Sequence, residues 1–182
     1  MLSFLKERSY DIVKMFVDQV ALALFGISLA VASPGLSLRV VTGIFSVAFY
    51  LFLIYHLVWE VGFKDRGRIS RGEAPASRFT GLYLGLAAST LNFLIAIFIT
   101  LGTFLSHIPF FSNVGGVSIT AGLLLEGMYM GLLAIRVNDT PLNTMWFMWF
   151  LITIPMIVTA AIAYFAGTRE FRFFKPKPPK NI

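Results

Sequence analysis

The segment SITAGLLLEGMYMGLLAI, residues 118–135, places one acid, Glu126, among otherwise uncharged side chains. It is apolar and nearly as long as the roughly 20 residues that a membrane helix needs. Its glycines, Gly122, Gly127 and Gly131, weaken it as a helix. The fold depends on whether this segment crosses a bilayer or only enters it. The composition and charge distribution of the rest of the chain help to distinguish the two.

The whole chain is unusually apolar. Of 182 residues, 57% are hydrophobic and 13% are charged, whereas soluble domains have roughly 45–50% apolar and 25% charged residues. Such a composition is typical of a membrane protein, and the length suits four or five spans of about 20 residues each. We predict an all-α, polytopic membrane helical bundle with five hydrophobic helices, four or five of them crossing, in a single membrane domain over residues 1–182.

The apolar stretches follow one another along the chain. An amphipathic segment over residues 1–19 leads into the first of them, which ends at a Ser-Pro-Gly turn. The later stretches are predicted at residues 40–63, 79–105, 118–135 and 144–167. A polar loop over residues 64–78 separates the second stretch from the third, and Gly67, Gly72 and Pro75 are expected to break the helix there.

The basic residues predict the orientation. Of 15 lysines and arginines, three fall in residues 1–14, five in residues 64–78 and five in residues 169–180. Because such residues resist translocation, the N-terminus, the loop over 64–78 and the tail over 168–182 are all predicted to be cytoplasmic. Four crossings satisfy this rule if residues 118–135 dip in and return. Five crossings, the alternative, place the basic tail outside.

Glu126 is the leading candidate for a ligand-binding or ion-binding residue. A carboxylate at the centre of a membrane helix costs about 2.5–3.5 kcal/mol and is normally partnered, protonated or exposed to water. In one interpretation, Glu126 binds a cation or a proton together with Asn92 and Tyr129. In the other, it reaches surface water or Arg136. Asn92 lies in an apolar stretch and is expected to bond across to another helix.

His56 and Glu60 are weak candidates for a metal site. They are four residues apart and so share one helix face, but zinc sites generally need three protein ligands. In the structural alternative, Glu60 pairs with basic residues of the loop and His56 bonds within the bundle. The chain has no cysteine and lacks phosphate-binding-loop, HExxH and GxSxG motifs. We therefore expect no catalytic residue and no cofactor.

The tail alternates phenylalanines with basic residues, including Arg169, Arg172, Lys175 and Lys177. Aromatic rings at headgroup depth and cations against phosphate predict a lipid-surface tail, with a tether to a partner protein as the alternative. The net charge of +6 lies in short blocks between apolar stretches, which favours anionic lipid headgroups over nucleic acid as counter-ions. Rows such as Gly81-x-x-x-Gly85 and Gly127-x-x-x-Gly131 predict helix contacts, within the chain or in a homo- or hetero-oligomer.

None of these patterns identifies a substrate. We expect a multi-pass protein of the plasma membrane of a prokaryote that acts as a transporter or channel component with a polar intramembrane site. The first alternative is a non-catalytic scaffold or accessory subunit of a larger complex, and the second is an intramembrane metal-dependent enzyme. A cavity at Glu126 lined by further polar groups favours transport, whereas Glu126 in bulk water or paired with Arg136, with no cavity, favours the scaffold.

Overall fold

A computed structural model describes residues 2–73, 77 and 79–171 of the chain. Almost all of this part is helical, which confirms the all-α prediction. Its helices are α1 (Leu2–Glu7), α2 (Ser9–Ala32), α3 (Leu36–Ser70), α4 (Thr80–Ala88), α5 (Thr90–Phe104), α6 (Pro109–Leu125), α7 (Met130–Leu133), α8 (Trp146–Leu151) and α9 (Ile154–Thr168). Two short antiparallel strands, β1 (Arg136–Val137) and β2 (Thr140–Pro141), form a hairpin between α7 and α8.

Within the described residues, three helical segments are long and apolar enough to cross a membrane: α2, α3, and α8 with α9 taken together. The number rises to five if each of two bent pairs is one span. The pair α4 and α5 bends by 52°, and α6 and the following Gly127–Leu133 segment bend by 84°. Large apolar side chains on the surface, such as Val41 (61% exposed), Phe52 (57%) and Ile162 (56%), suit contact with lipid.

The first helices begin and end differently from the predicted boundaries. The amphipathic segment over residues 1–19 is divided at Arg8 into α1 and the start of α2. Most of it therefore belongs to the long helix α2. Helix α3 continues to Ser70, well into the predicted loop. Its basic residues are good helix formers and outweigh the roughly 1 kcal/mol cost of one internal glycine. A Schellman motif follows Ser70 and terminates the helix. Gly72 has a φ of 74°, its amide donates to the Ile69 carbonyl, and the Glu73 amide donates to the Arg68 carbonyl.

The third apolar stretch is bent rather than straight. Helices α4 and α5 meet at Ser89, whose hydroxyl donates to the Met156 sulfur at 3.1 Å. The neighbouring Thr90 hydroxyl donates to the Leu86 carbonyl at 3.2 Å, and such side-chain bonds to the preceding turn bend helices. Asn92 follows directly after this bend.

Glycines allow the helix backbones to approach closely. Where α5 crosses α6, a Cβ added to Gly115 would lie 2.8 Å from the Gly102 Cα. Where α4 crosses α9, a Cβ on Gly85 would lie 3.0 Å from the Ile157 Cα. Gly81 faces α9 in the same way. The prediction that the Gly81 and Gly85 row forms a helix contact is therefore confirmed.

The two ends of the bundle differ in chemistry. At one end, here called the basic end, the starts of α2 and α4 meet the ends of α3 and α9 around Asp65. At the other, called the hairpin end, the start of α3 packs against α7, which precedes the β1–β2 hairpin. Asn138 and Asp139 at the hairpin tip both have positive φ, as a tight two-residue turn requires. Residues 169–171, which follow α9, lie at the basic end, where the Trp59 indole donates to the Phe171 carbonyl at 2.8 Å.

Candidate functional site

The segment predicted as one helix over residues 118–135 is broken at Glu126. Helix α6 ends at Leu125, a single 3-10 turn covers Gly127–Tyr129, and α7 follows in a direction that differs by 84°. The Glu126 amide still donates to the Gly122 carbonyl at 2.8 Å. The structure therefore differs from the expected continuous helix, and Glu126 stands at the carboxyl end of a half-helix.

After Glu126, the chain returns toward the hairpin end. A Cβ on Gly127 would lie 2.5 Å from the Ala23 carbonyl oxygen, which is one turn farther along α2 than Gln19. Gly131 then packs against the Arg39 carbonyl and against Gly43, near the start of α3. Helix α6 also starts at the hairpin end, so the segment enters the bundle and leaves it at the same end. This path agrees with the four-crossing interpretation.

Glu126 belongs to a buried group of three side chains, here called the polar cluster: Gln19, Asn92 and Glu126. Their exposed fractions are 0%, 5% and 4%. The Gln19 Nε2 donates to Asn92 Oδ1 at 3.0 Å, to the Leu125 carbonyl at 3.2 Å and to Glu126 Oε1 at 3.4 Å. The predicted bond from Asn92 to another helix is thus confirmed, and its partner is Gln19 on α2.

Two buried polar atoms, Gln19 Oε1 in the polar cluster and Tyr129 Oη in the turn that follows Glu126, have no hydrogen-bond partner within the described residues. Tyr129 also lies close enough to Glu126 to interact with its charge. A buried polar atom without a partner costs about 1–3 kcal/mol, so native structures contain few of them. Unused bonding capacity of this kind is typical of a ligand site.

No lysine, arginine or histidine in the described part of the chain forms an ion pair with Glu126. Arg136, the partner considered from the sequence, is exposed in β1. With only 4% of its surface exposed, Glu126 also does not face bulk water. Both observations argue against the interpretation in which Glu126 reaches water or Arg136.

A second buried group lies at the basic end and is here called the Asp65 cluster: Arg8, Asp65 and Tyr164. Arg8 Nη2 and Tyr164 Oη both donate to Asp65 Oδ2, at 2.5 Å and 2.8 Å. Burial lowers the pKa of the Arg8 guanidinium, but the hydrogen bond and the charge of Asp65 outweigh it and raise this pKa above its usual value. Arg68 lies 3.8 Å from Asp65 and 3.1 Å from Glu7.

A cavity of about 390 Å³ opens beside the Asp65 cluster. Its walls combine apolar residues of α1, α3 and α4 with the charged groups of Arg8 and Asp65. No residue of the polar cluster lines it, so this cavity is not the polar cavity around Glu126 that the transport interpretation predicts. No local sequence pattern indicates the Asp65 cluster, because its members lie in three separate segments of the chain.

The weaker candidates fall at the surface of the described residues. Glu60 pairs with Lys64 at 2.8 Å, as the structural alternative predicted, but His56 is exposed rather than held inside the bundle. The described residues contain no group of three or more His, Asp or Glu side chains that could hold a metal ion. The Arg169 guanidinium lies 4.1 Å from the centre of the Phe165 ring. The other predicted lipid-surface residues, Arg172, Lys175 and Lys177, lie outside the described residues.

No protein family, curated protein or solved structure matches this chain. The function is therefore inferred from the geometry of its own residues.

Proposed function

We propose that this protein is a small multi-pass membrane transporter or channel component in which Gln19, Asn92 and Glu126 form the intramembrane site. The observation that supports this proposal is a buried acid at a helix break, with no basic partner among the described residues. A scaffold has no use for such a group, because an unpaired intramembrane carboxylate is costly. A protein that binds a cation or a proton needs one.

The broken helix supports the same proposal. Backbone that is not helical is tolerated at membrane depth where it lines a site inside the protein. The carboxyl end of a half-helix carries a partial negative charge and carbonyl groups without helical partners. Secondary transporters use such ends to coordinate cations, and here the Leu125 carbonyl and Glu126 occupy one.

We further propose that the basic end faces the cytoplasm of a prokaryotic cell and meets anionic lipid headgroups at its plasma membrane. The basic segments around residues 1–14, 64–78 and 169–180 support this orientation. Because the chain has no cysteine, single-cysteine variants can be labelled without background.

The orientation is tested with Thr140→Cys in the hairpin and with Ser70→Cys and Thr168→Cys at the basic end. In intact cells, a membrane-impermeant maleimide is expected to label only Thr140→Cys, because the other two positions face the cytoplasm. Permeabilised cells should label all three. Labelling of Thr168→Cys but not Ser70→Cys in intact cells would contradict the four-crossing path and support five crossings.

Transport is tested by reconstituting the purified protein into liposomes and measuring proton and alkali-cation flux. Glu126→Gln is expected to lower the flux at least roughly tenfold, because it removes a charged ligand worth about 1.5–3 kcal/mol. Thr153→Val is the control, since Thr153 is 1% exposed and its hydroxyl donates to a carbonyl in the preceding turn, that of Trp149, at 3.0 Å. Wild-type vesicles no more permeable than empty liposomes would refute transport and favour the scaffold.

A further inference from the structure

We propose that the ion bound by the polar cluster is a dehydrated monovalent cation of the size of Na⁺. We also propose that Gln19 supplies one of its oxygen ligands by turning its side-chain amide. This inference rests on the proposed function and specifies the ligand of the same site.

The first observation is a mismatch around the Gln19 amide. Three oxygens converge on its Nε2: Asn92 Oδ1 at 3.0 Å, the Leu125 carbonyl at 3.2 Å and Glu126 Oε1 at 3.4 Å. An amide nitrogen has only two hydrogens to donate. On the other side of the same group, Gln19 Oε1 has no partner within the described residues, although the side chain is fully buried. The Gln19 NH₂ group therefore faces more acceptors than it has hydrogens, and the Gln19 side-chain oxygen has no donor.

Turning the amide by 180° exchanges its oxygen and its nitrogen, which have nearly the same shape. Gln19 Oε1 then joins the Asn92, Leu125 and Glu126 oxygens. Four oxygens this close repel one another unless a cation lies between them. In one amide orientation the site holds no ion, and the Gln19 NH₂ group bridges the three oxygens. In the other orientation the site holds its ion, and the cation bridges all four oxygens.

The spacing of these oxygens indicates the size of the ion. Oxygens held by a cation at about 2.4 Å lie about 3.4 Å apart when the angle at the ion is near 90°. Gln19 Nε2, whose place the turned Oε1 would take, lies 3.0 to 3.4 Å from the three oxygens, at or just below this value. A larger ion such as K⁺ needs a wider ring of oxygens. Mg²⁺ is smaller and loses its water reluctantly, which disfavours it in a site built from protein oxygens.

The charge of the site indicates the valence of the ion. Glu126 supplies a single negative charge, while Gln19, Asn92 and the Leu125 carbonyl are neutral. One monovalent cation leaves the site neutral, whereas a divalent cation leaves a net positive charge in a medium of low dielectric, which is costly. The negative end of the α6 half-helix favours a cation further and disfavours anions.

Binding is tested on the purified full-length protein in detergent by following thermal unfolding as NaCl replaces choline chloride at constant ionic strength. A bound ion stabilises the folded state according to its concentration and affinity. We expect the unfolding midpoint to rise with Na⁺ until it saturates, and to rise much less with K⁺. Glu126→Gln should remove this response, and Thr153→Val should keep it.

Two substitutions of Gln19 separate an oxygen ligand from a hydrogen-bond donor. Gln19→Glu keeps an oxygen, loses the donor and adds a second negative charge beside Glu126, so the Na⁺ response should persist. Gln19→Leu loses both and should weaken the apparent Na⁺ affinity at least roughly tenfold, or about 1.4 kcal/mol. The reverse result, with a response in Gln19→Leu but none in Gln19→Glu, would overturn the proposal. So would equal midpoints in Na⁺ and K⁺, or a full response in Glu126→Gln.

Radioactive ²²Na⁺ uptake into proteoliposomes separates this inference from the proposed function. A saturable Na⁺ response without flux of any cation would support the Na⁺ site and overturn transport. Proton flux that depends on Glu126, without any Na⁺ response, would support transport and overturn Na⁺ as the ligand.

Discussion

Replacing Asp65 by alanine is expected to lower the free energy of unfolding by about 3 kcal/mol, because breaking a buried ion pair typically costs 3–5 kcal/mol. Only 4% of the Asp65 side chain and 13% of the Arg8 side chain are exposed. The substitution leaves the Arg8 guanidinium and the Tyr164 hydroxyl without their common acceptor. Asp11, 3.6 Å from Arg8, partly compensates, which is why we expect the lower end of the range. Thermal unfolding in detergent measures the effect.

The matched control is Glu73→Ala, which removes the same kind of group at the same end of the bundle. Glu73 bonds Arg71 at 2.7 Å and 3.0 Å, but both side chains are exposed, and exposed ion pairs contribute little because water and salt screen them. We expect no measurable change. Removing Arg8 and Asp65 together should cost less than the sum of the single changes, since no charge remains unpaired. An Asp65→Ala protein as stable as Glu73→Ala would contradict the structural role of the Asp65 cluster.

Replacing Gly131 by alanine is expected to destabilise the protein by about 1–3 kcal/mol, the usual cost of overpacking. The added Cβ would overlap the Arg39 carbonyl and lie 3.1 Å from the Gly43 Cα. Both contacts involve backbone, which cannot turn away as a side chain can. Alanine is favoured over glycine in a helix by about 0.5–1 kcal/mol, so the steric cost should exceed this gain. The same change should weaken the Na⁺ response, because it displaces the segment that follows Glu126.

Gly116→Ala is the control for this prediction. Gly116 lies inside α6, and a Cβ there would meet no atom within 4 Å. Only the helix preference remains, so this variant should be as stable as the wild type or slightly more stable. If Gly131→Ala behaves like Gly116→Ala, the segment after Glu126 does not pack against α3 as the structure describes.

Hydropathy predicted the helical stretches well and their ends poorly. Apolar composition located four of the five stretches, but α6 begins at Pro109, nine residues before the predicted 118–135 segment. It could not show that α3 extends to Ser70, because the residues beyond Phe63 are polar and their helix is stabilised by contacts such as that between Arg8 and Asp65. The break at Glu126 was also missed, although Gly122, Gly127 and Gly131 marked the segment as a weak helix.

The candidate site was predicted in part. Glu126 and Asn92 stood out because polar groups are rare in apolar stretches, and they meet in the polar cluster. Gln19 was missed because it fell at the end of a segment interpreted as amphipathic, where an amide is unremarkable. The only sequence feature that pointed to Gln19 was its position four residues after Met15. The two residues share one face of α2, and that face is buried.

The sequence by itself determined that the chain has apolar stretches long enough to span a membrane, because their length and composition can be read from the residue order alone. It also determined which polar groups are costly to bury. Only the tertiary structure decided which of them meet. Gln19, Asn92 and Glu126 come from three helices, and Arg8, Asp65 and Tyr164 come from three other places in the chain. Such contacts depend on how the helices cross. The crossings are set jointly by the glycine positions and the helix breaks, and no local sequence pattern contains this information.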